Sequence, residues 1–319
     1  MASSGSYDFL VTRDNLINLA HQHIGAIGEG ETASTNQVTE AALLLNMIVK
    51  LRAAQGMPVW ALKRGFILPF TGESSINTDS HVVTAYDTTT LSANSAASDT
   101  TLTVTSITGF SASDQIGVEL DNGNVDWTTI NGAPSGTTIT ITTGVTTAAS
   151  SGNRVYGYTA SSQRVQKPIR IVSANMLVVA DSISWPIDVI SRNEYYSLGG
   201  RTSEGTPNSL FYDVRPSSDT ALNTNGIIFV WPRFPNGDNI IEFDYQRPFM
   251  DFDASTDNPD FPQAFYLPLM LELAALLGPK SGVQPDERRA LHQEAKMYLD
   301  QALDTVYEEC SLYLGPDNG

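Results

Sequence analysis

Apolar residues recur at helical spacing at the two ends of the chain and alternate with polar ones between. In "TRDNLINLAHQHIGAIG", Leu16, Leu19, Ala20, His23, Ile24 and Ile27 repeat with a period near 3.6 behind the cap candidates Thr12 and Asp14. This predicts a helix over about 12–27, ended by Gly25 and Gly28. After the polar "EGETASTNQ" a second helix is predicted over about 36–55, with Ser34 and Gln37 spaced as a capping box. Its apolar stripe reads Leu43, Leu44, Met47, Ile48, Leu51 and Ala54, and Gly56 and Pro58 stop it.

From about residue 60 to 250 the period is that of strands and turns, with no convincing helix. Inside this block, 88–160 reads as an inserted Thr-rich β module. Between Gly72 and Gln163 its only Lys or Arg is Arg154, against eight acidic residues. Five short strands are marked by "TTLTVTSI", "QIGVEL", "VDWTTI", "TTITITT" and "NRVYGY", separated by turns such as "DNGN" and "NGAPSG". A small sandwich or barrel follows, with Leu102, Val104, Ile107, Ile116, Val118 and Leu120 as its core face. Longer strands resume in "KPIRIVSANMLVV", "GIIFVWPRFP" and "NIIEFDYQRP". Asn236-Gly237-Asp238 is expected to join the last two as a hairpin, with Pro232 and Pro235 marking an edge strand or its end.

Two more helices close the chain, over about 262–277 and 285–310. The first lies in "DFPQAFYLPLMLELAALLGP", the most apolar run of the sequence. A membrane span needs about 20 uninterrupted apolar residues, and Glu272 sits in the middle of this shorter stretch. Pro262 suits a first turn, whereas Pro268 is expected to kink or split the helix. Phe265, Leu269, Leu273 and Leu276 line one side and Leu267, Met270, Leu271 and Ala274 another, so cover is needed all round. Either the β block, as ordinary core, or a neighbouring subunit supplies that cover; on the second reading the first set, with Glu272, is a candidate inter-subunit surface, and Glu272 is expected to be paired or to face a subunit boundary. The fold class expected is α+β: a helical bundle from both termini (1–87 and 161–319, with β regions at about 60–87 and 165–250) carrying the inserted module.

Charge narrows the partners. With 35 acidic against 18 basic residues, a formal net charge of −17 repels a phosphate backbone, so tight nucleic-acid binding is not expected; an acidic wall would suit only non-specific passage of DNA, and composition alone does not show such a channel. Cys310 is the single cysteine, which excludes an internal disulfide and a thiolate cluster. "MASSGSYDFL" has neither the basic nor the apolar region of a signal peptide, and synthesis in a cytoplasm is expected.

Catalytic and metal signatures are sparse. His21, His23, His81 and His292 form no ligand spacing, "DASTDNPD" lacks the pattern of a calcium loop, and "GAIGEG" and "SLGGRTSEG" lack the Lys of a phosphate cradle. Trp127, Trp185 and Trp231 read as strand residues of a core. No catalytic residue, cofactor or metal is assigned.

The opening "TRDNLINLAHQHIGAIGEGETASTNQVTEAALLLNMIVKLRAAQGMPVW", the middle "YYSLGGRTSEGTPNSLFYD" and "IIFVWPRFPNGDNIIEFDYQRPFMDFD", and the late "DFPQAFYLPLMLELAALLGPKSGV" resemble, in order and spacing, one family. It is that of the head-to-tail adaptors, or tail accessory factors, of short-tailed bacteriophages. The pieces span most of 12–85 and 165–305, and the module at 91–160 is absent from shorter members. The resemblance implies a non-enzymatic virion protein: a dodecameric ring beneath the portal protein, extending the DNA channel and carrying tail nozzle and tail or head fibres. It also implies portal contact through the C-terminal helix and tail, which places Leu291, Tyr298, Tyr307, Leu312 and Tyr313 at that contact. Peptidoglycan hydrolysis and glycan or receptor binding are the alternatives.

Overall fold

The computed structural model describes residues 9–55, 61–70, 75–179, 183–214 and 226–304. The chain divides into two compact units, Met1–Ala61 with Pro248–Gly319, and Leu62–Arg247. The fold class is α+β.

The first unit opens with α1 (Arg13–His23), shorter than the 12–27 expected. Thr12 caps it by accepting the Asn15 N–H, and Gly25 leaves it at a φ of 67°. Helix α2 spans Thr35–Gln55, and its predicted box forms: Ser34 N–H donates to Gln37 Oε1 at 2.9 Å, and Gln37 N–H returns to Ser34 Oγ. The buried face, however, is Ala41, Leu45, Ile48, Val49 and Ala53, while Leu43, Met47 and Leu51 are exposed. A helix apolar on nearly every side has no unique stripe for periodicity to find.

The second unit is built on an eight-stranded sheet. Its strands are β1 (Leu62–Ile67), β2 (Ser75–Asn77), β3 (Val82–Val83), β10 (Arg170–Val178), β11 (Ile183–Val189), β12 (Ser209–Asp213), β13 (Ile227–Trp231) and β14 (Asn239–Gln246). The order is β2-β13-β12-β11-β10-β14-β1-β3, and only β11 and β12 run parallel. The edge strands β2 and β3 are consecutive in sequence and joined only by residues 78–81, so the sheet curls until it nearly closes as a barrel. Ile67, Met176, Ile228, Val230, Ile241 and Phe243 fill its interior. The hairpin expected at Asn236-Gly237-Asp238 does not form: β13 pairs with β12 and β2, and β14 with β1 and β10. Instead Gly237 O accepts the Tyr156 hydroxyl at 2.7 Å and Asp238 pairs with Arg154, so this turn is docked on a side element. Between β12 and β11 the chain makes α3 (Arg192–Ser197), a helix too short for periodicity to reveal, although Ser191 and Glu194 form a complete capping box.

That side element is the Thr-rich module. It contains β4 (Asp87–Thr90), β5 (Thr101–Thr103), β6 (Gln115–Glu119), β7 (Val125–Thr129), β8 (Thr138–Thr140) and β9 (Arg154–Tyr158). The five strands read from sequence are β5 to β9. A four-stranded sheet, β4-β9-β6-β7, and the β5-β8 pair enclose Leu91, Leu102, Val104, Ile116, Val118, Ile139 and Val155. Threonine hydroxyls pair outside this core, Thr90 with Thr105 and Thr129 with Thr142. Gly117 lies under Trp127, whose indole carbons would be 2.8 Å from an added Cβ.

The chain then returns to the first unit. Phe265 N–H donates to Pro262 O in a single 3-10 turn, Gln263–Phe265, before α4 (Tyr266–Leu277) begins. Pro268 is thus in the first turn of α4, where its missing N–H costs nothing, and neither kinks nor splits a helix. Helix α5 (Pro285–Asp304) follows and packs on α4, which also touches α1 and α2.

Candidate functional site

The charged centre of the apolar run is satisfied within the chain. Arg52, near the end of α2, donates from Nη2 and Nε to Glu272 Oε2 at 2.6 and 3.2 Å. The two side chains are 27% and 17% exposed. They form one wall of a groove of about 420 Å3 whose other side is α5, with His292, Lys296, Asp300, Leu299 and Leu303. Lys280 also pairs with Glu40, so α4 and the turn after it are ionically tied to α2 along its length.

The other residues expected at a subunit boundary divide. Phe265, Leu269 and Leu273 are buried within this chain, which removes them as surface; Leu276 is 40% exposed, and Leu267, on another side of α4, is 45% exposed. The residues expected to face a portal also divide. Leu291 is buried with Leu271, Ala275 and Ala295, because it faces α4 rather than outward, and Tyr298 is half-buried against the same cluster. Tyr307, Leu312 and Tyr313 lie outside the described residues.

Among the apolar side chains that remain open, three form a row on α2. Leu43, Met47 and Leu51, spaced four residues apart, are 59%, 65% and 52% exposed, and no charge lies between Glu40 and Lys50. In the second unit Ile183 and Trp185 of β11 are exposed as well, so Trp185 is not the core residue its pattern suggests.

A second constellation was not legible in sequence. His81, at a φ of 55°, stacks on Trp127 with ring centroids 4.1 Å apart, and its Nδ1 lies 3.2 Å from the Tyr158 hydroxyl. Trp127 Nε1–H donates to Pro69 O. Burial, with the Arg164 charge second, pushes the imidazole pKa down to about 4. A neutral imidazole locked between aromatic rings is suited to joining β7 and β9 to the 78–81 turn, and the contacts on each side are structural. The only sequence signal was the Thr-Asp-Ser turn before it.

Among the described residues no group of three or more His, Cys, Asp or Glu is arranged to hold a metal ion. No helix of these residues is long and apolar enough to cross a membrane. "DASTDNPD" is a capped connector: Asp257 Oδ2 accepts the N–H groups of Asp253 and Ala254. Compared with known proteins, the chain matches no family model and no curated sequence.

Proposed function

We propose that this chain is a structural head-to-tail adaptor of a phage virion, assembled in the host cytoplasm. Copies form a ring, dodecameric by the family resemblance, beneath the portal; the ring extends the DNA channel and seats the tail nozzle and fibres. The observation that carries the reading is the stripe Leu43, Met47 and Leu51: an uncharged apolar ridge on an otherwise acidic chain needs cover, and a neighbouring copy supplies it. The order of elements supports the same reading, with helices from both ends brought together around α4 as the bundle of each subunit and a strand-rich unit inserted between them. The Thr-rich module, with β4 and β7 at the edges of its sheet, suits fibre docking by edge pairing and polar contacts. The acidic surplus suits a wall along which DNA slides without sticking.

The test is the assembly state of the purified chain, by light scattering and two-dimensional class averages, alone and with purified portal protein. A closed ring that binds portal, and binds it less well when cut after Asp304, is expected. A chain that stays monomeric at every concentration and beside the portal would falsify the reading.

A further inference from the structure

Two arginines on this acidic chain are held ready and, among the described residues, left without a carboxylate. Arg192, the first residue of α3, places its guanidinium carbon 5.6 Å from the centroid of the Tyr196 ring one turn later, and Arg201 approaches the same ring at 5.1 Å. All three side chains belong to exposed residues. The platform under them is fixed. Tyr195 packs on Phe211 and Phe229, which anchors α3 to β12 and β13. Gly200 at a φ of 60° accepts the Ser203 N–H and the Trp231 Nε1–H, which sets Arg201 inside a turn tied to the end of β13.

The carboxylates nearest in sequence are committed elsewhere. Glu194 Oε2 accepts the Ser191 N–H at 2.7 Å in the capping box, and Glu204 pairs with Arg233 at 2.8 Å. Among the described residues neither Arg192 nor Arg201 makes an ion pair. A guanidinium stacked on an aromatic ring keeps its N–H edge outward and loses little freedom when it binds a planar anion, so the arrangement is a prepared anion clamp.

We infer that the Arg192–Tyr196–Arg201 clamp takes carboxylates of a second copy of this chain, as a polar contact between neighbouring subunits. Local charge complementarity favours a second copy: it brings 35 acidic residues against 18 basic ones, hence unpaired carboxylates, and can turn one such patch toward the two guanidiniums, whereas a nucleic-acid backbone carries a charge at every phosphate against the whole net charge of −17. A ring closed by one face of each copy on a different face of the next needs two unlike surfaces, and the clamp is unlike the apolar ridge of α2. The inference rests on the ring reading above.

The test compares wild type, R192E/R201E and R192K/R201K as full-length chains. Circular dichroism and thermal melting verify that each folds, which exposed positions allow. Subunit dissociation is followed by mass photometry over a salt series, and binding of a labelled DNA duplex by fluorescence anisotropy. Charge reversal is expected to weaken association on the order of tenfold or more, and the lysine pair to fall between. The wild-type association should weaken with salt, and the reversed variant less steeply. A reversed variant that assembles as wild type does overturns the clamp while leaving the ring reading intact. A wild type that never assembles overturns both. Duplex binding lost on reversal, with assembly unchanged, reassigns the clamp to nucleic acid and overturns the inference.

Discussion

Glu272 and His81 show how a single side chain's surroundings set its cost. Truncating Glu272 to Ala takes the carboxylate away from a partly buried guanidinium, and we expect a loss of about 1–2 kcal/mol in urea unfolding. The double variant R52M/E272L, which removes both charges and keeps the volume, is expected to recover most of it. The sequence already required a partner for Glu272, because an acid amid twelve apolar or aromatic neighbours is otherwise expensive; that the partner is Arg52, 220 residues away, is a tertiary fact. His81 carries a pH prediction. Its folded pKa of about 4 lies below the ordinary 6.5, so the unfolded chain takes up the proton first. The stabilisation is fully present above about pH 6.5 and is lost as pH falls toward 4, on the order of 2–3 kcal/mol. Urea midpoints measured at pH 7 and 4.5 should fall less in His81→Asn, which tolerates the positive φ, than in wild type. An equal fall in both would show that the ring titrates normally.

At the level of elements, α2 separates what pattern can and cannot give. Its start was legible from Ser34 and Gln37, because a cap is local chemistry. Its buried face was not, because Leu43, Leu45, Met47 and Val49 offer the core equally apolar choices and only α1 and α4 decide among them. Leu45→Ala is expected to destabilise the subunit by about 2–4 kcal/mol, whereas Met47→Ala changes subunit stability by less than about 0.5. In the assembly assay the order reverses, with Met47→Asp disrupting association of a subunit that still melts normally. Chemical denaturation of dilute protein and light scattering of concentrated protein read the two effects apart. The β module was the most legible part, since each strand is bounded by its own turn; the pairing of β13 and β14 was misjudged because a short Asn-Gly-Asp segment between two strands is also how a chain crosses to a non-adjacent partner. Helix α3 fell below the length at which a period can be seen, and the clamp it carries fell with it.

For the whole molecule, the second unit is an insertion in the chain of the first. Residues 62–247 hold two closed cores of their own and are expected to fold alone, with a single cooperative melt and native-like far-ultraviolet dichroism. A broad, non-cooperative melt would show that they depend on the helices. Composition and period foretold helical ends around a strand-rich middle, but not that the middle curls nearly closed, because that depends on the four residues between β2 and β3. In that nearly closed sheet β1 and β14 run antiparallel with Leu62 opposite Gln246, so the chain enters and leaves the second unit at two points about 5 Å apart. An insertion with adjacent ends can be cut out without stretching its host. Replacing 63–246 by a tight two-residue turn should leave the helices able to meet, and would make the helical half a small protein in which the apolar ridge can be studied by itself.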